Sequence, residues 1–137
     1  GRVCFYLSYQ TRCNSIGVEY DERIYQGAID NKRTAVSSDR TAFVLCGAEN
    51  YEVPADVDRC YFFNPFSVEI FQSVLAKIYE SYYAKPREIL LLFYYPAENY
   101  ISSLMTQEQL MFYDEIDTSD LFSGDDNRER VMIFKVI

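Results

Sequence analysis

Apolar and polar positions along the chain fall into runs of two periods, one helical and one strand-like. Residues 1–10 (GRVCFYLSYQ) are apolar on most sides and predict a short buried helix. Residues 14–19 (NSIGVE) predict a strand. Asp21 is then placed to cap a helix running to about residue 33, with Ile24, Tyr25, Ala28 and Ile29 on one face. Residues 41–46 (TAFVLC) predict a buried strand and 58–63 (DRCYFF) another. Asn64-Pro65 has the form of a cap followed by proline at the first helical position. Ile70, Phe71, Val74, Leu75, Ile78 and Tyr82 make the apolar stripe of the helix that follows, and Lys85-Pro86 stops it.

The remaining third changes character. Residues 88–95 (EILLLFYY) form an unbroken apolar run, the type buried on both faces of a parallel sheet. A short helix is expected over 98–104. Residues 110–116 and 130–137 then form two strands with no helix between them. The polar, turn-rich 119–127 (SDLFSGDDN) joins them, which predicts an antiparallel pair. Alternating strands and helices ahead of this hairpin predict a doubly wound, mostly parallel α/β sheet with helices on both faces.

Composition narrows the chemistry. A chain of 137 residues suits one domain, and 49% apolar with 17% aromatic residues is ample for a core. There is no histidine, which excludes Ser-His-Asp and Cys-His nucleophilic sites and zinc sites that need imidazole. The balance of 13 basic against 21 acidic residues argues against direct nucleic-acid binding by this chain. The charge is uneven: residues 1–40 are net +1, whereas 41–137 are net −9. Cys4, Cys13, Cys46 and Cys60 form no C-x-x-C pair. Cys46 and Cys60 lie in or beside apolar runs, as free thiols in a reducing compartment would. No signal peptide is visible, and the longest charge-free apolar run, 89–96, is too short to span a bilayer. A cytoplasmic protein with no membrane partner is the expectation.

In doubly wound sheets, ligands bind beyond the carboxyl ends of the strands. Glu19-Tyr20 ends the first strand, and a carboxylate there can accept both hydroxyls of a ribose; it could equally be an ordinary acidic loop residue. Gly47, Ala48 and Glu49 follow the next strand, where small residues let a flat ring approach the backbone; a plain glycine turn has the same composition. Asn64 and Phe66 follow the third, an amide with two donors and an acceptor beside an apolar wall, or a helix cap beside a core residue. Tyr94-Tyr95-Pro96 ends the apolar strand and can line the same cleft.

Together these strand ends resemble the class I S-adenosylmethionine (SAM)-dependent methyltransferases over essentially the whole chain. Glu19 in GVEYD matches the acidic end of the family's second strand, and Ala48 in CGAENY matches the small residue flanking the adenine. Asn64-Pro65-Phe66 partly matches the Asn/Asp-Pro-Pro-aromatic motif after the fourth strand, and the terminal hairpin matches the family's closing one. Gly1-Arg2-Val3 looks like the tail of the family's glycine-rich loop. The resemblance implies a Rossmann-like fold and methyl transfer from SAM to an unidentified acceptor. Glu19 and Tyr20 would hold the ribose side, Ala48 and Glu49 the adenine edge, and Gly1 the amino-acid end. Asn64 and Phe66 would face the transferred methyl group. Two departures stand out: Gly47 replaces the acidic residue that often contacts the adenine amino group, with Glu49 as substitute, and the motif after the fourth strand lacks its second proline.

The resemblance also implies that the central first strand is missing from the chain, so that 1–137 is a partial domain of the family. Unpaired buried backbone groups cost about 1–3 kcal/mol each. An upstream segment of about 40–80 residues, judged from the usual domain size, another chain, or direct pairing of the flanking strands would satisfy them. Self-association through the exposed sheet edges follows from the second option. Two other functions fit the pattern: a non-catalytic binding or assembly module, and a nicotinamide-dependent oxidoreductase domain in which Glu19 holds the ribose of NAD.

Overall fold

The computed structural model describes residues 1–63, 66–121, 126 and 128–137. Four helices and six strands follow one another as α1 (Arg2–Thr11), β1 (Ser15–Glu19), α2 (Glu22–Lys32), β2 (Thr41–Leu45), β3 (Arg59–Phe62), α3 (Val68–Ala84), β4 (Leu90–Tyr94), α4 (Glu98–Met105), β5 (Leu110–Asp117) and β6 (Arg130–Val136). Contacts divide the chain into two compact units, Gly1–Tyr51 and Glu52–Ile137.

The first unit is a parallel pair, β1 with β2, carrying α1 and α2. Asp21 caps α2 as its position predicts: its carboxylate accepts the backbone N–H groups of Arg23 at 2.8 Å and Ile24 at 3.3 Å. The Arg23 guanidinium, together with those two N–H groups, holds the Asp21 carboxyl below its ordinary pKa. Gly17 lies opposite Phe43 in the ladder, and a Cβ at 17 would come within 2.7 Å of the Phe43 ring, so the missing side chain lets that ring lie across β1. The expected burial of the first helix is corrected: only Ser8 of α1 is buried, while Tyr6 and Tyr9 are exposed. Ser8 is drawn in by polar partners. Its hydroxyl donates to Ser15 Oγ at 2.7 Å, and its carbonyl accepts Arg40 Nε at 3.2 Å. The strand expected to be buried at 41–46 is also half-open, with Thr41 its one buried residue.

The second unit holds a four-stranded sheet in the order β3-β4-β6-β5. β3 and β4 are parallel, and β6 is antiparallel to both β4 and β5, so the predicted terminal hairpin is present. The predicted stripe faces inward at Phe71, Val74, Leu75 and Ile78 of α3. Ile89, Leu91 and Phe93 of the apolar run are all but inaccessible, as are Phe134 and Val136 of β6. The helix start is shifted from expectation: Ser67 caps α3 by accepting the Ile70 N–H at 3.4 Å. Asn64 and Pro65, read in the sequence as the cap, lie outside the described residues. Within the described residues β1 pairs only with β2, and β3 only with β4.

Arg87 ties the second unit together beneath β4. Its guanidinium donates to the carbonyls of Val57 (2.7 Å), Ser81 (3.0 Å), Lys85 (2.9 Å) and Pro54 (3.1 Å), and to Ser81 Oγ (2.9 Å). One rigid fork thus joins the 54–57 loop to the end of α3. Arg87→Ala is expected to destabilise the chain by about 2–4 kcal/mol, since hydrogen bonds to charged groups are worth about 1.5–3 kcal/mol each and are not additive. Lysine, with no planar fork, is expected to recover less than half of the loss. Urea denaturation followed by circular dichroism checks both; an Arg87→Ala midpoint equal to the parent's would contradict this role.

Candidate functional site

In the first unit Glu19, Tyr20, Ala48 and Glu49 stand at or just after the carboxyl ends of the parallel pair. Glu19 and Leu45 are register partners at the carboxyl ends of β1 and β2, and the Cys46 N–H donates to the Glu19 carbonyl at 3.0 Å. Glu19 is half-buried, and its Oε1 accepts the Asp21 N–H at 3.0 Å. That bond fixes the side chain at the strand end and leaves its second oxygen to accept further donors. Tyr20 beside it is 76% exposed.

Two residues past β2 the backbone makes a 3₁₀ turn over Ala48–Asn50. A Cβ on Gly47 would lie 2.6 Å from Glu49 Oε1. The Glu49 carboxylate therefore folds back into the space that a side chain at 47 would take. Gly1 stands at the N-cap of α1, where a Cβ would meet the Phe5 and Phe43 rings at 3.1 Å. Sequence alone suggested Glu49 as a substitute for an acidic residue at 47; it could not supply the fold-back, which depends on a turn of three residues.

In the second unit the ends of β3 and β4 carry aromatic groups. Asn64 lies outside the described residues. Phe66 is half-buried: its ring is stacked on Phe71 at 6.3 Å and edge-on to Phe62 at 6.4 Å. Its backbone is held by Tyr100, whose hydroxyl accepts the Phe66 N–H at 3.1 Å and donates to the Phe66 carbonyl. Burial keeps the Tyr100 phenol above its ordinary pKa, in the donating form. The aromatic group turned to the surface is instead Phe63, 56% exposed, stacked on Tyr94 at 5.3 Å and edge-on to Tyr95 at 6.4 Å.

Tyr95 has φ 52°, a left-handed conformation that costs a bulky residue about 1–3 kcal/mol. Its hydroxyl donates to Asp126, and the Arg128 guanidinium lies 4.7 Å above its ring. The bond to Asp126 raises the Tyr95 phenol and lowers the Asp126 carboxyl. The Tyr94 hydroxyl donates to Glu129 at 3.1 Å. Sequence reasoning named Tyr94 and Tyr95 as lining residues but missed Phe63 and Arg128 as their companions. The only signal for Phe63 was its place as the last residue of an apolar run. Among the described residues no group of His, Cys, Asp and Glu is arranged to hold a metal ion, and no helix is long and apolar enough to cross a membrane.

The arrangement of strands has counterparts among solved structures. An rRNA methylase from Streptococcus thermophilus superposes with a TM-score of 0.59 at 11% identity, over 90% of this chain and 72% of that one. A TehB-like SAM-dependent methyltransferase from Corynebacterium glutamicum superposes with a TM-score of 0.61 at 14% identity, over 99% of this chain and 74% of that one. The fold is that of the class I SAM-dependent methyltransferases. The 23S rRNA methyltransferase ErmE shares this fold less completely, with a TM-score of 0.51 at 13% identity over 90% of this chain and 52% of that one. No protein-family model and no curated protein matches the sequence.

Proposed function

We propose that this chain is the catalytic-domain portion of a SAM-dependent methyltransferase. The observation that carries this reading is the pair of carboxylates at the ends of β1 and β2, one fixed by the Asp21 N–H and the other folded over Gly47. In this reading Glu19 accepts the ribose hydroxyls, with Tyr20 alongside. Ala48 leaves room for the adenine face, Glu49 takes its amino group in place of an acidic side chain at 47, and Gly1 approaches the amino-acid end. Asn64 and Phe66 are the proposed methyl-positioning pair. When bound, SAM would supply an electrophilic methyl carbon to the acceptor's lone pair, the electrons of the methyl–sulfur bond staying on sulfur and any displaced proton going to water. The protein's part is binding and alignment, which needs no histidine. A cytoplasmic location is part of the same proposal.

A second reading is favoured by the edges of β1 and β3 that have no strand partner among the described residues: a non-catalytic module that assembles through them. Calorimetry with S-adenosylhomocysteine and with NAD separates the readings. Binding of S-adenosylhomocysteine at micromolar concentration is the expected result. Binding of NAD alone would replace it with an oxidoreductase, and binding of neither, with concentration-dependent association in ultracentrifugation, would leave the assembly module.

A further inference from the structure

The ends of β3 and β4 present an exposed aromatic group. Phe63 exposes more than half of its surface at a strand end, where exposure of a phenylalanine forfeits its burial energy. It is not a loose side chain, because Tyr94 stacks beneath it and Tyr95 braces its edge. Tyr95, with its backbone in the left-handed region, is in turn held at its hydroxyl by Asp126 and Arg128. A braced, outward-facing aromatic ring suits a flat partner, since stacking needs only a second ring and a fixed first one.

Charge selects among flat partners. The first unit has 6 basic and 6 acidic residues and is neutral, whereas the second has 7 and 15 and carries the whole net charge of −8. Beside the platform, Tyr94 and Tyr95 donate to Glu129 and Asp126, carboxylates that keep lone pairs for further donors. Arg128 is the one cation at the platform among the described residues, and Asp126 neutralises it at 3.4 Å. A phosphate-bearing strand would meet net repulsion here, and a neutral or cationic ring would not.

We propose that Phe63, braced by Tyr94 and Tyr95, is a stacking platform for a small, planar, neutral or cationic heteroaromatic compound. The platform is tested independently of the methyl-transfer reading.

The chain has no tryptophan, so the indole probe tryptamine can be excited at 295 nm without protein background. Saturable quenching of tryptamine is expected, about tenfold weaker in Phe63→Ala and retained in Phe63→Tyr. Indole-3-acetate, flat but anionic, and cyclohexylethylamine, cationic but not flat, are each expected to bind at least about tenfold more weakly. S-adenosylhomocysteine calorimetry on the same Phe63→Ala sample reports the cofactor site separately. Loss of tryptamine binding with S-adenosylhomocysteine binding kept supports the platform, and tryptamine binding in a protein that ignores S-adenosylhomocysteine supports the platform while removing the methyl-transfer reading. Equal tryptamine affinity in Phe63→Ala and the parent overturns the proposal. So does displacement of tryptamine by a single-stranded RNA oligonucleotide at 0.15 M salt more readily than by adenosine.

Discussion

Replacing Glu19 with alanine is expected to weaken S-adenosylhomocysteine binding about 10- to 100-fold, because hydrogen bonds to a charged acceptor are worth about 1.5–3 kcal/mol. The carboxylate's geometry makes the expectation specific. Oε1 is occupied by the Asp21 N–H, so a ribose would depend on the second oxygen and on the remaining lone pairs. Glu19→Gln keeps the size and one acceptor, and is expected to fall between the parent and alanine. Asp21 would lose a partner in Glu19→Ala, so circular dichroism of the same sample must show α2 intact. Titration calorimetry with parent-like affinity in a folded Glu19→Ala protein would remove Glu19 from the site.

The largest stability effect is expected at Phe71. It is fully buried, with Tyr100 stacked on it at 4.9 Å and Phe93 and Phe62 edge-on at 5.6 and 5.8 Å. Phe71→Ala removes a ring that touches α4 and two strands, and is expected to cost about 3–5 kcal/mol, a large share of the roughly 5–15 kcal/mol that holds a domain. Phe71→Leu fills most of the space and is expected to cost less than half as much. Denaturant midpoints by far-ultraviolet circular dichroism test this, and a loss under 1 kcal/mol for alanine would show that the cluster repacks freely. The change also loosens Phe66, whose ring lies on Phe71.

Much of this architecture is readable from period alone. The 88–95 run declares a strand covered on both faces, and the stripe from Phe71 to Ile78 declares the helix above it. Strand pairing is less readable. Nothing local to residues 14–19 or 58–63 says that β1 and β3 each have one edge without a strand partner among the described residues, because pairing is a property of distant segments. Caps are ambiguous in a different way. Asn64 and Ser67 both have cap side chains, proline after Asn64 tips the sequence argument, and the structure starts the helix at Val68. In the first helix, hydrophobicity on several sides suggests burial, yet a hydroxyl is what goes inside, because Ser15 and Arg40 offer it partners. Arg87 is invisible for a related reason: four of its five acceptors are backbone carbonyls, which every residue has. Strand ends are readable too: Glu19 and Leu45, the last residues of β1 and β2, are register partners. The exposed ring after β3 is Phe63 because Phe66 is claimed by Phe62 and Phe71.

The polar interior of the first unit has a consequence on the timescale of amide exchange. Ala28 is its one fully covered apolar residue, and the others hidden there are Ser8, Ser37 and Thr41. Opening such a unit exposes little oil to water, so its hydrogen bonds are guarded by a low barrier of solvation. Deuterium is expected to enter the amides of β1 and β2 at least about 100-fold faster than those of β4, which lies among Ile89, Leu91 and Phe93. If the proposed cofactor contacts are right, S-adenosylhomocysteine should slow exchange at the ends of β1 and β2 more than anywhere else. The segment built to receive the ligand would then be the one that the ligand finishes folding.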